Sequence, residues 1–286
     1  MGHEARLVCL GDSFTEGMSD VLRPDGHHLG WADRVAVALA RRLAADPGPD
    51  GEQRVMYANL AVRGKLLDQV VADQLPTALS YAPTLATFHA GPNDVLRRGT
   101  DLVDLRRRYE DAVARLVENS EPVLLFTSIG RSGGENRLGR YLASRFDRFN
   151  DDVRAVAATR GAGVVDLGVV EVLTDRRVWA PDRLHLDQEG HARVAAAVLE
   201  HLGVTDTDLL GGPVGWWREA LPTAPTATRR AVLVSDLTWA RRHLVPWLGR
   251  RLRGTSSGDG LSAKDPVLRP VPAGASDCEP DQNGPP

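Results

Sequence analysis

The chain is nearly without lysine. Lys65 and Lys264 are the only two among 286 residues, so its positive charge is carried by arginine. The formal net charge is −3, which gives no ground for a nucleic-acid partner. Cysteine is equally scarce. Cys9 sits in the apolar run RLVCL, and Cys278 sits in a tail rich in proline and glycine. A disulfide between a core strand and a loose tail is not expected, and this fits a reducing compartment. No apolar run approaches the roughly 20 residues of a membrane-spanning helix. The N-terminal stretch MGHEARLVCLGDS lacks the basic start and apolar run of a signal peptide. A soluble, cytoplasmic protein is therefore expected. Two common catalytic patterns are also missing. G-x-x-x-x-G-K and H-E-x-x-H do not occur, so neither a phosphate-binding loop nor a zincin helix is supported.

What the sequence does contain is an alternation of two periods. Five short runs, Arg6–Leu10, Val55–Leu60, Thr84–His89, Pro122–Thr127 and Gly163–Leu167, are continuous apolar or β-branched stretches. Runs of this kind suit strands buried on both faces of a parallel sheet. The stretches near 31–45, 101–119, 141–159 and 187–202 carry apolar residues three or four apart, for example Leu105, Tyr109, Ala112, Val113 and Leu116. Each therefore has one stripe to lay on a sheet. Five β-α repeats imply right-handed crossovers, a doubly wound sheet and a three-layer α/β/α domain over residues 1–205. In such a sheet the ligand site lies beyond the carboxyl ends of the strands.

After residue 205 the pattern changes. GGPVGWW at 211–217 reads as a loop. A basic helical extension is expected within 206–254, over about 228–253, with Pro246 interrupting it. Its arginines and its tryptophans Trp239 and Trp247 fit either packing on the domain or peripheral contact with an anionic membrane, and packing is preferred. Residues 255–286 are rich in proline, glycine, serine and aspartate, and disorder is expected there.

Chemistry-bearing residues fall at the expected strand ends. The first strand runs into Gly11-Asp12-Ser13-Phe14, which presents a serine at the sheet's carboxyl edge. On its own such a serine could equally be a helix N-cap. Gly64 follows the second strand and could turn a backbone N–H towards a developing negative charge, or simply make a turn. Asn93 in Gly91-Pro92-Asn93-Asp94 follows the third strand, where its amide can donate into the same crevice. Asp182 and His185 stand three apart in Pro181-Asp182-Arg183-Leu184-His185, a spacing at which a carboxylate can hold one imidazole nitrogen and leave the other facing a serine. His27 and His28 are read as solvated loop residues, and His89 and His191 as structural. Asp12 is read as a brace for the turn. The pocket walls are expected from the loops 18–30, 97–100 and 129–140, the last carrying Arg131, Arg137 and Arg140.

These four blocks together resemble the SGNH (GDSL) hydrolase family in order and spacing, over about residues 5–203. Gly11-Asp12-Ser13 resembles the family's first block, Asn59…Gly64 the second, Gly91-Pro92-Asn93-Asp94 the third and Asp182-x-x-His185 the fifth. Pro92 departs from the family pattern, which often has glycine there. The resemblance implies a flavodoxin-like five-stranded parallel sheet and a serine esterase or acylhydrolase. Its triad would be Ser13, His185 and Asp182. Its oxyanion hole would comprise the N–H groups of Ser13 and Gly64 and the amide of Asn93. No metal or cofactor is implied, and the partner expected is a small-molecule, lipid or sugar ester. Short acyl or acetyl esters are preferred, because no apolar segment reads as a lid. The alternatives are an acyltransferase to a sugar or lipid alcohol and a non-catalytic binding module on the same fold.

Overall fold

A computed structural model of the chain describes residues 4–46, 54–130, 136–224, 228–246 and 257–274. Its centre is a six-stranded sheet in the order β5-β4-β3-β1-β2-β6. Strands β1 (Glu4–Gly11), β2 (Arg54–Asn59), β3 (Leu85–His89), β4 (Val123–Phe126) and β5 (Gly163–Val165) are parallel, as their unbroken apolar character requires. Successive side chains of β1 enter opposite cores. Leu7 and Cys9 pack with Trp31, Val35 and Val198 on one face, while Val8 and Leu10 pack with Phe88, Tyr109 and Val153 on the other. The helices Gly30–Ala45 and Gln188–His201 cover the first face. The helices Leu102–Val117 and Arg137–Arg160 cover the second. Chain order runs outward from β1 in both directions, so β1 flanks the point where the strand order reverses.

The sixth strand is a correction to the sequence-based expectation. Disorder is expected over 255–286, yet β6 (Asp265–Pro270) pairs antiparallel with β2. The reason is electrostatic. Lys264, one of the two lysines, is buried, and its Nζ lies 2.5 Å from Asp33 Oδ2. It also donates to the carbonyls of His28 and Leu29, each at 2.8 Å. Burial raises the Asp33 carboxyl to about 6, against the opposing pull of Lys264 and Arg23. Arg23 in turn bridges Asp33 and Asp265, both at 3.1 Å. A segment too polar for an apolar core is held by a paired, desolvated charge instead. Cys278 and Trp247 lie outside the described residues.

Of the basic extension, residues Arg229–Trp239 are α-helical, and Ala240–Leu244 form a π-turn just before Pro246. The N–H of Val245 reaches back five residues to the carbonyl of Ala240. Proline has no N–H to continue the ladder, and the widened turn accommodates its ring. Among the described residues no helix is long and apolar enough to cross a membrane.

Candidate active site

The end of β1 delivers Ser13 to the carboxyl edge of the sheet as the first residue of a one-turn helix, Ser13–Glu16. Asp12 caps that turn, its Oδ1 accepting from Phe14 N–H at 3.1 Å. Gly11 is pinned on both sides by Gln74, which accepts from its N–H at 2.8 Å and donates to its carbonyl at 2.9 Å. Only glycine fits here: φ is +155°, and a Cβ would lie 2.6 Å from the carbonyl oxygen of His89.

The second block is tied to the first by buried polar groups. Asn59, at the end of β2, donates to the carbonyl of Thr15 at 2.8 Å. Glu16, almost wholly buried, accepts from Arg63 N–H at 2.6 Å and from its guanidinium Nε at 2.8 Å. Gly64 follows at φ +74°, a backbone conformation that glycine adopts without strain. Glu16 thus sets the distance between the serine turn and the glycine turn.

The third block follows β3. Pro92 opens the one-turn helix Pro92–Val95, a position where its missing N–H costs nothing. The departure from the family pattern at Pro92 therefore leaves Asn93 in place. The Asn93 amide donates to Asp12 Oδ2 at 3.1 Å and to the carbonyl of Lys65 at 3.0 Å. Asp12 is therefore more than a brace for its own turn, since it also holds Asn93. His89, the last residue of β3, packs its ring on Phe14 with centroids 4.4 Å apart, and its Nδ1 lies 3.4 Å from Asp12 Oδ1.

Asp182 and His185 stand on a tight loop closed by the antiparallel bridge between Trp179 and Leu186. Ala180 N–H donates to the carbonyl of His185 at 2.9 Å. Asp182 Oδ1 accepts from the N–H groups of Leu184 at 2.9 Å and His185 at 3.1 Å. Its Oδ2 lies 2.6 Å from His185 Nδ1. Burial works to raise the Asp182 carboxyl, but the His185 ring and the two N–H donors outweigh it and hold the group down to about 2. It is a carboxylate at any working pH. Ser13, Gly64, Asn93, Asp182 and His185 all line one cavity of about 880 Å³.

The remaining sequence candidates divide. Met18, Arg97 and Ile129 from the three expected wall loops reach the cavity, whereas His27, His28, Arg137 and Arg140 do not line it. The His28 ring is engaged with the carbonyl of Asp20 at 2.9 Å. Arg131 lies outside the described residues. His191 also borders the cavity but is buried, with Nε2 3.1 Å from the carbonyl of Met18, and burial pushes it down to about 4. Sequence reasoning missed the wall contributed by Trp179, Trp239, Arg242 and Pro246. Trp239 stands out in the sequence as a tryptophan in a basic helix, but nothing local says which way it faces.

Comparison with known proteins decides the lineage. The model of the GDSL-like lipase/acylhydrolase family matches residues 9–193. The chain belongs to that family. It is accordingly a carboxylic ester hydrolase of the SGNH type. No curated protein matches it. Among solved structures, the α/β hydrolase enzyme LAE5 from the metagenome of Lake Arreo, Spain, is 24% identical, with a TM-score of 0.55 over 71% of this chain and 97% of its own. The lipase/acylhydrolase of Enterococcus faecalis is 22% identical, with a TM-score of 0.53 over 69% and 95%. The acetylxylan esterase Axe2 of Geobacillus stearothermophilus is 21% identical, with a TM-score of 0.52 over 71% and 96%. At these identities the likeness is one of fold.

Proposed function

We propose that this family member is a serine esterase that works through an acyl-enzyme. The observation that carries the reading is the 2.6 Å contact between His185 Nδ1 and the ionised Asp182, in the cavity that Ser13 also lines. With Nδ1–H donated to the carboxylate, Nε2 is the basic nitrogen. Ser13 Oγ attacks the ester carbonyl and passes its proton to Nε2, which returns it to the leaving alcohol. Water then repeats the sequence against the acyl-serine and releases the acid. The tetrahedral oxyanion meets the N–H groups of Ser13 and Gly64 and the amide of Asn93, which exchanges one of its present bonds to do so. Support for the dyad comes from the Geobacillus acetylxylan esterase, whose solved catalytic mutants include one at an aspartate and one at a histidine three residues later. That is the spacing of Asp182 and His185.

The preference for short acyl groups rests on the chain having no lid. Trp239 and Pro246 of the C-terminal extension form part of the cavity wall, so that ground falls away. Leu66, Leu96, Ile129, Leu142 and Phe146 give the cavity a largely apolar lining, and its volume far exceeds what an acetyl group requires. Both features favour a bulkier ester. Packing on the domain, rather than membrane contact, is favoured for the extension by the inward hydrogen bond of Trp239 to Asp182.

A fluorophosphonate probe tests the central claim. Covalent labelling at Ser13, lost in His185→Ala, is expected. A wild-type chain that stays unlabelled is incompatible with an activated serine. A screen of p-nitrophenyl esters by chain length, with acetylated sugars, phospholipids and an added acceptor alcohol, then defines the substrate and separates hydrolysis from acyl transfer.

A further inference from the structure

The matched family region ends at residue 193, yet the helix Arg229–Trp239 reaches back into the loop that carries Asp182 and His185. The indole Nε1 of Trp239 donates to the backbone carbonyl of Asp182 at 2.7 Å. The next residue, Arg183, has φ +60°, a left-handed conformation that a side chain disfavours. Its guanidinium is gripped from the same helix. Nη1 lies 2.6 Å from Asp236 Oδ1, Nη2 donates to Ser235 Oγ at 3.2 Å, and Cζ sits 4.8 Å from the centre of the Trp239 ring. Ser235 and Asp236 stand four and three residues before Trp239, so each lies beside it on the helix surface. That surface also contributes to the cavity wall through Trp239, and Arg242 and Pro246 extend the wall into the turn beyond.

We propose that this helix is a positioning arm for the catalytic dyad. Resting on the serine-esterase reading above, the inference is that Trp239 and Arg183 together fix the backbone of the Asp182 loop and thereby aim His185 at Ser13. The loop's own hydrogen bonds close the turn, but they do so with Arg183 in a conformation that a side chain disfavours. Three contacts to the Arg183 side chain and one to the preceding carbonyl add a hold from outside the loop. Four of the loop's residues, Asp182 to His185, line the cavity, so a shift of the arm moves the base and the wall together. Trp239 and Arg183 touch no reacting atom in this scheme. They act through Asp182.

The test uses the full-length chain and two variants chosen to spare the fold. Trp239→Phe keeps the ring over Arg183 and removes only the N–H donated to Asp182. Arg183→Gly removes the grip and relieves the positive φ, so its Tm is expected to be unchanged or higher. Both are expected to label with fluorophosphonate about 10-fold more slowly or worse, with the loss in kcat rather than KM, because misplacing a base costs rate steeply. Arg183→Lys, which retains charge, is expected to recover part of the rate. If the wild type labels at Ser13 and both variants match it in labelling rate and kcat, the arm is refuted while the esterase reading stands. Rate losses that track losses in Tm across both variants also refute it, since the contacts are then merely structural. A wild type that does not label removes the esterase reading, and the arm falls with it.

Discussion

Lys264 Nζ and Asp33 Oδ2 are 2.5 Å apart, both buried, and 231 residues separate them in the chain. Removing one partner of such a pair strands the other in a desolvated niche. Lys264→Ala is therefore expected to destabilise the fold by about 3 kcal/mol, as buried ion pairs typically do when broken from one side. The double variant with Asp33→Asn is expected to recover part of that loss, because the stranded charge is gone. Urea titrations of the wild type, both single variants and the double variant measure the coupling; strict additivity would show that the contact contributes nothing.

Asp182→Asn is expected to lower kcat by roughly 1,000- to 10,000-fold with little change in KM, since an amide no longer fixes the tautomer that leaves Nε2 basic. Ser13→Ala is expected to abolish turnover of p-nitrophenyl esters. Steady-state kinetics on a saturable ester check both, and a kcat for Asp182→Asn within a few-fold of wild type would remove Asp182 from the triad.

Glu16 touches neither the serine hydroxyl nor the imidazole, yet it grips the residue before Gly64. Glu16→Gln is expected to lower kcat by up to about 100-fold, the scale of losing one oxyanion donor, because the Gly64 turn is no longer held against the serine turn. Asn93→Ala is expected to show a comparable loss by removing a donor directly. A Glu16→Gln enzyme with normal kcat and raised KM would instead place that ion pair in substrate binding.

His191 provides a pH signature of stability. Its buried imidazole is held down to about 4, whereas an unfolded histidine titrates near 6.5. Between those values the unfolded chain takes up a proton that the folded chain refuses. Stability from this group is therefore complete above about pH 6.5 and is lost as the pH falls towards 4, by on the order of 3 kcal/mol in total. His191→Gln, which can still donate to the Met18 carbonyl, is expected to flatten that part of the stability profile. Denaturant midpoints of the two proteins between pH 4 and 7 give the difference; parallel curves would mean that His191 does not contribute.

The parallel core was legible because its cause is local. Runs such as Arg6–Leu10 are apolar on both alternating faces, and the helix 102–117 shows its stripe within a single segment. Ser13, Gly64 and Asn93 could be located because a doubly wound sheet collects whatever follows its strands at one edge. The Asp182–His185 contact spans three residues and needs no tertiary knowledge. What stayed hidden is polar and long-range. Gln74 on Gly11, Glu16 on Arg63 and Trp239 on Asp182 have no period, and each partner alone looks like an ordinary surface residue. β6 was missed for the same reason: its sequence, DPVLRP, has the composition of a loop and becomes a strand only where Lys264 finds Asp33.

That last strand also decides how the sheet meets its surroundings. β2 would otherwise present a row of unpaired backbone groups, a template on which a second chain could add. β6 covers that row, and with Pro266 and Pro270 it offers few N–H groups of its own to a newcomer. A chain cut before residue 265 is thus expected to self-associate in light scattering. Its C-terminal segment is a guard against fibre-like stacking as well as a structural tie.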